Sequence, residues 1–408
     1  MKIVSLQAKE ILDSNGKSTV EVMLKTEKGE YVASVPSGVS KGKNEAVAKE
    51  AVEAVKNINE VIAVKLLGLE VKTQQELDDK LLALDGSSDK SNLGANGLLA
   101  VSIVCLRGLA GEEGKQVWQK IAEISGLQPT LPKPLMLCFE GGRHGASGLD
   151  FQEFMVETGR SLFKENYELC LAVYNEIGKI VEEQFGRQGK VIGCEGGFTP
   201  LLNGVEAALS IMKQAMKKLG IDGKIALDVA ASEFFENNVY DYMGEKISNK
   251  RMLEHYQKFV ANYPIFLIED PFAKDDIEGW QELKLKIKNE KLKIMVVGDD
   301  LTATNPKLIK QAQEQGICNA VIIKPNQIGT VSETIEAACL VKKFGWKIIV
   351  SHRGGETDDN FIADLAVGIG ADYIKAGAPS RPERMVKYQR LLEIEIEITN
   401  HQETRCKQ

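Results

Sequence analysis

Several widespread functional signatures are missing from this sequence of 408 residues. It has no G-x-G-x-x-G after a predicted strand, no G-x-x-x-x-G-K-[ST] loop and no H-E-x-x-H helix, so dinucleotide, P-loop and zinc-protease sites lack support. The seven cysteines form no C-x-x-C pair, and most lie within apolar runs. This usage predicts buried thiols in a reducing compartment rather than disulfides or zinc ligands. Cys194 is the exception, because it lies beside Glu195 and two glycines.

An excess of positive charge and long apolar runs are also absent. The formal net charge is -7, and no lysine-rich arm or basic stripe stands out. This balance argues against a nucleic-acid or anionic-membrane partner. No window approaches the roughly 20 apolar residues that a membrane span requires. We therefore expect a cytoplasmic protein with neither a nucleic-acid nor a membrane partner.

The sequence does contain enough apolar material for a large core. Hydrophobic residues make up 43% and charged residues 27%, which is typical of a folded globular chain. Residues 18–35 alternate apolar and polar side chains around the turn KTEKGE, a pattern that predicts a hairpin. From Glu45 onwards, and again over about residues 93–109, apolar residues recur at helical spacing. A sheet followed by helices indicates a small α+β domain.

A proline-rich segment divides the chain. Pro129, Pro132 and Pro134 fall within LQPTLPKPLM, which cannot be helical. We therefore predict two domains, an amino-terminal α+β domain over residues 1–128 and a larger domain over residues 135–408.

Short apolar runs alternate with amphipathic helical stretches in the larger domain. The runs are KIALDVA, IFLIEDP, KIMVVGDD, AVIIKPN, KIIVSHR and YIKAGAP. The alternation predicts βα units and a parallel sheet. Each run ends in a polar residue, and the spacing between these residues is about one βα unit: Asp228, Glu269, Asp299, Lys324, His352 and Lys375. In a βα barrel such strand ends converge on one face, so these side chains are expected to share a site.

The polar residues suggest a metal and a base. Asp228, Glu269 and Asp299 offer an all-oxygen set, which suits a hard divalent ion such as Mg²⁺. A single acid after a strand most often caps the next helix. Three acids on successive strands are poorly explained as three separate helix caps. Lys324 and Lys375 either satisfy carboxylates structurally or include one amine whose pKa is lowered enough to remove a proton. Such a base, opposed by a metal, fits abstraction of a proton α to a carboxylate.

Glycine-rich loops carry further candidates. His144 lies in EGGRHGASG, and His352 and Arg353 lie in VSHRGGE, where glycines allow the backbone to approach a ligand. Arg353 can form two parallel hydrogen bonds to a phosphate or carboxylate, although most arginines are surface ion-pair partners. The polar loop VPSGVSKGKNEA, residues 35–46, is either a plain connection or a lid.

Together these residues resemble the enolase family, the phosphopyruvate hydratases of glycolysis. The resemblance covers nearly the whole chain, and its segments occur in the family's order: LGANGLLAVS, LDFQEFM, EGGFTP, LDVAASEFF, IEDPFAKDD, GDDLTATNP, IKPNQIGT, SHRGGETDDNFIADLAVG and IKAGAPSR. It implies a modified TIM-type βα barrel with a smaller amino-terminal α+β domain, so the fold class is α/β. It also implies a homodimer and two Mg²⁺ ions at each active site.

The resemblance assigns roles residue by residue. Asp228, Glu269 and Asp299 match the ligands of the tighter Mg²⁺, and Ser40 in GVSKG matches the lid serine that ligates the second ion. Lys324 matches the base that takes the C2 proton of 2-phosphoglycerate, and Glu195 the acid that helps hydroxide leave from C3. The remaining matches are Glu153 beside that acid, Lys375 on the substrate carboxylate, and His144, His352 and Arg353 as substrate-binding residues.

Five positions depart from the family pattern. Gly354 stands where SHRSGE has a serine that helps bind phosphate, and Cys194 stands where an aspartate normally precedes the acid. Glu140 and Arg143 change the usual NGGSH to EGGRH, and we expect Arg143 to add charge near the phosphate with Glu140 as its partner. Asn15 replaces an arginine that contacts the partner subunit in the family, which weakens the expectation of a dimer.

The resulting interpretation is a lyase that reversibly dehydrates 2-phospho-D-glycerate to phosphoenolpyruvate and water. Two alternatives stay open at this point. One is an enolase-superfamily enzyme that acts on another carboxylate, which the missing serine at Gly354 allows. The other is a catalytically weakened relative with an interaction role, which the changes at positions 140, 143, 194 and 354 allow.

Overall fold

The structure is a computed structural model, and it describes residues 1–38, 42, 44–142, 144–145 and 147–406. A three-stranded antiparallel sheet opens the chain, with strands Ile3–Leu12, Ser18–Thr26 and Glu30–Ser34. The last two form the predicted hairpin, and the inward side chains of Val20, Val22 and Leu24 are fully buried. The strand Ile3–Leu12 was not predicted, because its alternation is broken by exposed charged residues.

Helices complete the amino-terminal region. They are Ala51–Asn57, the π-helical turn Ile58–Ile62, Ala63–Leu66, Gln74–Asp85, Ala95–Glu112 and Val117–Ser125. The first begins at Ala51 and not near Glu45 as its pattern suggested. Residues 46–49 are instead drawn into hydrogen bonds with other loops, for example from the Ala46 amide to the Gln327 carbonyl and from the Val47 amide to the Asp89 carbonyl. These contacts replace the first helical turns.

The helix Ala95–Glu112 packs against the small sheet. A Cβ at Gly108 would lie within 3.0 Å of Leu24, and one at Gly111 would overlap Tyr31, so glycine is required for this close approach. Among the described residues this helix alone has the length and apolar composition of a membrane span, and 78% of the relevant window is buried inside the protein. That burial is typical of a core helix.

Eight strands form a closed barrel whose order around the ring follows the chain. They are Lys133–Glu140, Glu153–Glu157, Lys224–Asp228, Ile265–Glu269, Met295–Gly298, Ala320–Ile323, Lys347–Ser351 and Tyr373–Lys375, and we number them as barrel strands one to eight. All six quoted apolar runs are barrel strands. The predicted α/β class, with a TIM-type barrel and a smaller amino-terminal domain, is confirmed.

One barrel strand that the quoted runs did not include departs from the parallel arrangement. Barrel strand two runs antiparallel to both neighbours. Parallel neighbours need a crossover connection, usually a helix. Residues 141–152, between strands one and two, contain no helix among their described positions, whereas two helices, Phe163–Phe185 and Val205–Leu219, separate strands two and three. The chain therefore turns back once before the regular alternation begins.

The remaining elements connect the barrel strands, except for the last helix, which follows barrel strand eight. The helices are Asn249–Asn262, Ile277–Asn289, Pro306–Gln315, Pro325–Ile328, Val331–Lys343, Phe361–Gly368 and Pro382–Cys406, with 3₁₀ turns at Arg187–Lys190 and Ala231–Phe234. A small antiparallel sheet contains Phe235–Glu236, Val239–Tyr242 and Glu245–Ile247.

The chain divides into two compact units. The first contains Met1–Leu131, Ala303–Pro306 and Ile323–Asp372, and the second contains Pro132–Thr302, Lys307–Ile322 and Tyr373–Gln408.

Candidate active site

In the second unit, acidic residues end adjacent barrel strands. Asp228 and Glu269 are the last residues of strands three and four, and they are register partners. Glu153, the first residue of antiparallel strand two, pairs with Asp228 on its other side. Because paired strand ends lie at one edge of the sheet, three carboxyl groups far apart in sequence become neighbours.

The ammonium group of Lys375 lies among these carboxylates. Its Nζ is 2.7 Å from Asp228 Oδ2, 3.0 Å from Glu269 Oε2 and 3.1 Å from Glu153 Oε1. All four side chains are buried. Burial alone would lower the pKa of Lys375, but the charges of Asp228, Glu153 and Glu269 outweigh it and hold that pKa well above its usual value. The lysine is therefore a permanent cation and not a base in this arrangement.

Glu153 has the opposite response to the same surroundings. Burial raises the pKa of Glu153 to about 8, and the charges of Glu195 and Asp228 add to this effect while Lys375 counteracts it. A carboxyl group that titrates near neutral pH is a common feature of a catalytic site.

Asp299 lies in a neighbouring acidic group. Carboxylate oxygens of Asp270, Asp299 and Asp300 lie within 4.8 Å of one another. Asp270 accepts hydrogen bonds from the backbone amides of Asp299 (2.9 Å) and Asp300 (2.8 Å), and it adopts φ 40°, a left-handed conformation that is strained for a residue other than glycine. In IFLIEDP, then, Glu269 faces Lys375 whereas Asp270 fixes the backbone that carries Asp299.

The donor set fits a divalent cation. Asp228, Glu269 and Asp299 supply carboxylate oxygens, the ligands that a hard ion prefers, and all three are buried. Together they bring three negative charges, against which Lys375 places one positive charge. Buried charges are stable only when compensated, so this excess of negative charge favours binding of a dication. The structure brings Asp228 and Glu269 together around Lys375, whereas Asp299 lies with Asp270 and Asp300.

Glu195 is presented by a tightly held loop, residues 193–197. Its side chain is buried, and its backbone carbonyl accepts a hydrogen bond from the Ala378 amide at 3.0 Å. The Gly196 carbonyl accepts from the hydroxyl groups of Tyr174 (2.8 Å) and Ser380 (2.9 Å). These bonds fix the loop before any ligand binds, as a preorganised acid requires.

Glu140 supports the loop from the other side. This last residue of barrel strand one is fully buried, and its carboxylate accepts hydrogen bonds from the amides of Glu195 (3.1 Å) and Gly197 (2.5 Å). Burial, reinforced by the charge of Glu195, raises the pKa of Glu140 to about 7. The partner expected for it, Arg143, lies outside the described residues.

His144 lies next to two of these acids. Its Nδ1 is 3.5 Å from Glu195 Oε2 and 3.9 Å from Glu153 Oε1. Burial by itself lowers the pKa of His144, but the charges of Glu195, Glu153 and Glu140 exceed that effect and raise it to about 9. The imidazole is therefore a cation at neutral pH, which suits an anionic substrate.

In the first unit, Arg353 is held by a glutamate that the sequence analysis did not single out. The Arg353 guanidinium lies 3.2 Å from the Glu45 carboxylate through two nitrogens, and it donates to Asn326 Oδ1 at 3.1 Å. Its backbone amide donates to Glu356 Oε1 at 3.0 Å. Glu45 stands at the end of the predicted lid loop, but an isolated glutamate near a loop gives no sequence signal of this pairing.

A cavity of about 660 Å³ lies beside this pair in the same unit. Its lining includes Lys17, Pro36, Ser37, Glu45, Asn326 and Arg353. Arg353 is thus placed where a small anion can reach it, and Lys17 adds a second positive charge.

Two other predicted residues of this unit are buried or half-buried at strand ends. Lys324 follows barrel strand six, and its amide donates to Thr304 Oγ1 at 2.9 Å. His352 follows barrel strand seven and is buried. Thr304 adopts φ 54°, so a strained residue supports the position of the predicted base. The predicted second-ion ligand Ser40 lies outside the described residues.

Comparison with known proteins gives a consistent result along the chain. The sequence matches two family descriptions, "Enolase, N-terminal domain" over residues 3–121 and "Enolase, C-terminal TIM barrel domain" over residues 128–408. The enolase of Anaplasma phagocytophilum (strain HZ) is 41% identical over 97% of this chain and 95% of its own length. The enolase of Methanosarcina barkeri is 40% identical over 97% and 95%, and enolase 1 of Entamoeba histolytica is 39% identical over 98% and 97%.

Proposed function

The chain belongs to the enolase family, and we propose that its barrel site catalyses the reversible dehydration of 2-phospho-D-glycerate to phosphoenolpyruvate and water, a lyase reaction of glycolysis. The observation that carries the proposal is the group of buried carboxyl groups at adjacent strand ends, where Glu153 titrates near neutrality and Lys375 stays charged. Likeness to proteins named enolase along the whole chain does not favour another carboxylate substrate or a non-catalytic role.

The reaction divides between a base and an acid. Lys324, as a neutral amine, removes the proton from C2, and Glu195, as a neutral carboxylic acid, gives a proton to the hydroxyl group that leaves C3. The backbone hydrogen bonds that fix residues 193–197 hold the acid in one orientation. Glu153 lies beside it and, with its pKa near 8, is able to hold or release a proton in the same step.

Positive groups match the negative charge of the substrate. Lys375 is assigned to the substrate carboxylate, on which negative charge accumulates when the C2 proton leaves. His144, His352 and Arg353 are assigned to substrate binding, and the raised pKa of His144 keeps its imidazole cationic at neutral pH. For Arg353 to bind a phosphate, the anion must replace the Glu45 carboxylate as its partner.

Two Mg²⁺ ions complete the proposal. Asp228, Glu269 and Asp299 would hold the first and Ser40 would contribute to the second. When bound, Mg²⁺ supplies charge that stabilises the doubly negative carboxylate formed on proton loss. We further propose a cytoplasmic homodimer with no nucleic-acid or membrane partner, and a domain boundary that separates residues 1–128 from 135–408.

The direct test is the absorbance of phosphoenolpyruvate after 2-phosphoglycerate and Mg²⁺ are added to the purified protein. Lys324→Ala is expected to lower kcat by about 10²- to 10⁴-fold, the range of a general base. Lys284→Ala, which removes another half-buried lysine, serves as the matched control and should retain activity. A folded protein that binds Mg²⁺ but forms no product would refute the proposal, and equal loss in both variants would refute the role of Lys324.

A further inference from the structure

A second group of potential metal ligands lies beside the predicted acid. One ligand atom from each of Glu140, His144 and Cys194 lies within 4.8 Å of the other two. This group has a thiol, an imidazole and a carboxylate, unlike the all-oxygen set at Asp228, Glu269 and Asp299. Two of its members, Glu140 and Cys194, are departures from the family pattern that the sequence resembles.

The fold holds the three side chains close together. Gly193 leaves no room for a side chain, since a Cβ there would lie 2.2 Å from Glu140 Oε2 and 2.7 Å from the His144 carbonyl oxygen. The Cys194 amide donates to that same His144 carbonyl at 3.4 Å. On the opposite side, Arg384 donates to the Cys194 carbonyl at 3.3 Å. The ligands thus project from backbone segments that contact each other directly.

The histidine contributes an independent observation. Among the described residues, its buried Nδ1 has no hydrogen bond of normal geometry, although a buried imidazole nitrogen normally has one. Its ion-pair neighbour Glu195 Oε2 lies 3.5 Å away. Once it has released its proton, a nitrogen in this position can bind a metal ion.

The chemistry of the donors selects the metal. Thiolate and imidazole ligands favour zinc and similar ions, whereas Mg²⁺ prefers oxygen. Bond lengths of about 2.0–2.3 Å from zinc to nitrogen and sulfur place tetrahedral ligand atoms about 3.3–3.8 Å apart. Ligand atoms that lie within 4.8 Å of one another reach this spacing when each side chain moves by about 1 Å or less. Three protein ligands leave a fourth position open.

The local field also favours a dication. The carboxylates of Glu140 and Glu195 lie beside this group and attract a divalent ion. Such an ion replaces the protons on the thiol and the imidazole when it binds.

We propose that Glu140, His144 and Cys194 form a binding site for zinc or a similarly soft divalent ion, and that its occupation inhibits the enzyme. Inhibition follows because the ion would hold His144 away from substrate and place positive charge beside Glu195. The binding part stands on the geometry of these residues alone. The inhibitory part rests on the function proposed above.

The binding part is tested by titrating Co²⁺ or Cd²⁺ into the full-length protein in excess Mg²⁺ and recording the thiolate-to-metal charge-transfer absorbance. We expect one equivalent to bind with this band in the wild type and in Cys339→Ser, which removes another half-buried thiol. The band should vanish in Cys194→Ser and in Cys194→Asp, a second variant in case the first does not fold. A band that persists in both folded variants, or no band in the wild type, would overturn the site.

The inhibitory part is tested by adding Zn²⁺ to the assay in excess Mg²⁺, with each variant normalised to its own rate without zinc. The concentration for half-inhibition should rise at least about tenfold in Cys194→Ser and stay unchanged in Cys339→Ser. Equal inhibition of all three proteins would assign the effect to another metal site. A protein that shows the band but is inactive without zinc would contradict the proposed function and leave the site intact.

Discussion

Two charge clusters in this protein, one half-buried and one buried, differ in how their charges are balanced. In the first unit, Arg107 forms a two-pronged ion pair with Asp359 at 2.7 and 2.8 Å, and the amides of Ser34 and Phe361 also donate to this carboxylate. One positive charge faces one negative charge. In the second unit, Lys375 alone faces three carboxylates.

The titration of the carboxyl groups reflects the difference. Burial alone would raise the pKa of Asp359, but Arg107 and the hydrogen bonds lower it below its ordinary value. Burial raises the pKa of Glu153 to about 8. The single ammonium group of Lys375 lowers this pKa, but it does not offset burial and the charges of the neighbouring carboxylates. A satisfied cluster stabilises the fold, and an unsatisfied one retains charge and protons for a ligand and a reaction.

The largest effect should be kinetic and confined to the unsatisfied cluster. Glu195→Gln is expected to lower kcat by about 10²- to 10⁴-fold, because the amide cannot donate the acid's proton. Glu157→Gln is the matched control, since Glu157 is equally buried but lies at the opposite end of barrel strand two. Steady-state assays with 2-phosphoglycerate would contradict the contrast if both variants lost activity equally.

A change in the satisfied cluster, Arg107 and Asp359, should instead lower the stability of the fold. Asp359→Asn leaves the half-buried Arg107 guanidinium without its anion, and we expect the free energy of unfolding to fall by more than about 1 kcal/mol, above the range of exposed ion pairs. Urea denaturation followed by circular dichroism measures this change. A loss below about 1 kcal/mol would place the pair among surface ion pairs and remove the contrast.

The stability contribution of Asp359 should depend on pH with a defined sign. Its folded-state pKa is lower than its unfolded-state pKa, so the contribution is complete above the unfolded value of about 4 and is lost as pH falls through the folded value. The difference in unfolding free energy between wild type and Asp359→Asn should therefore shrink below about pH 4. A difference that stays constant down to the acid transition would assign the effect to packing.

Loss of one carboxyl group from the unsatisfied cluster should cost little stability. Glu153→Gln replaces one of the three carboxyl groups around Lys375 with an amide. The unfolding free energy should fall by no more than about 1 kcal/mol, or rise, because function opposes stability at such sites. The same urea titration, in the presence of a chelator, measures it. A loss as large as that of Asp359→Asn would show that Glu153 is a structural partner.

Loss of an exposed ion pair should give the smallest change in unfolding free energy. Lys25 and Glu30 are 3.0 Å apart, and both side chains are more than half exposed. Lys25→Ala should change the unfolding free energy by less than about 1 kcal/mol, because water screens such pairs. Added salt should reduce this effect and leave that of Asp359→Asn nearly unchanged.

The sequence predicted six of the eight barrel strands, because each of these strands carries its own signal. Runs such as IFLIEDP are too apolar for the surface, and their polar last residues recur at the spacing of βα units. The antiparallel second strand was missed because a direction in a sheet depends on the connection that precedes it. The start of the first helix was missed because residues 46–49 bond to distant loops, and local spacing does not record such partners.

Candidate site residues were predictable only as residue types at strand ends. The sequence determined the buried apolar runs, their polar last residues and the family to which the chain belongs, since these depend on local pattern and order. Only the tertiary structure decided that Lys375 faces three carboxylates, that Glu45 holds Arg353, and that Glu140 joins His144 and Cys194. Electrostatic interactions and metal-ligand geometry depend on distances in space, and a linear sequence specifies those distances only after the chain has folded.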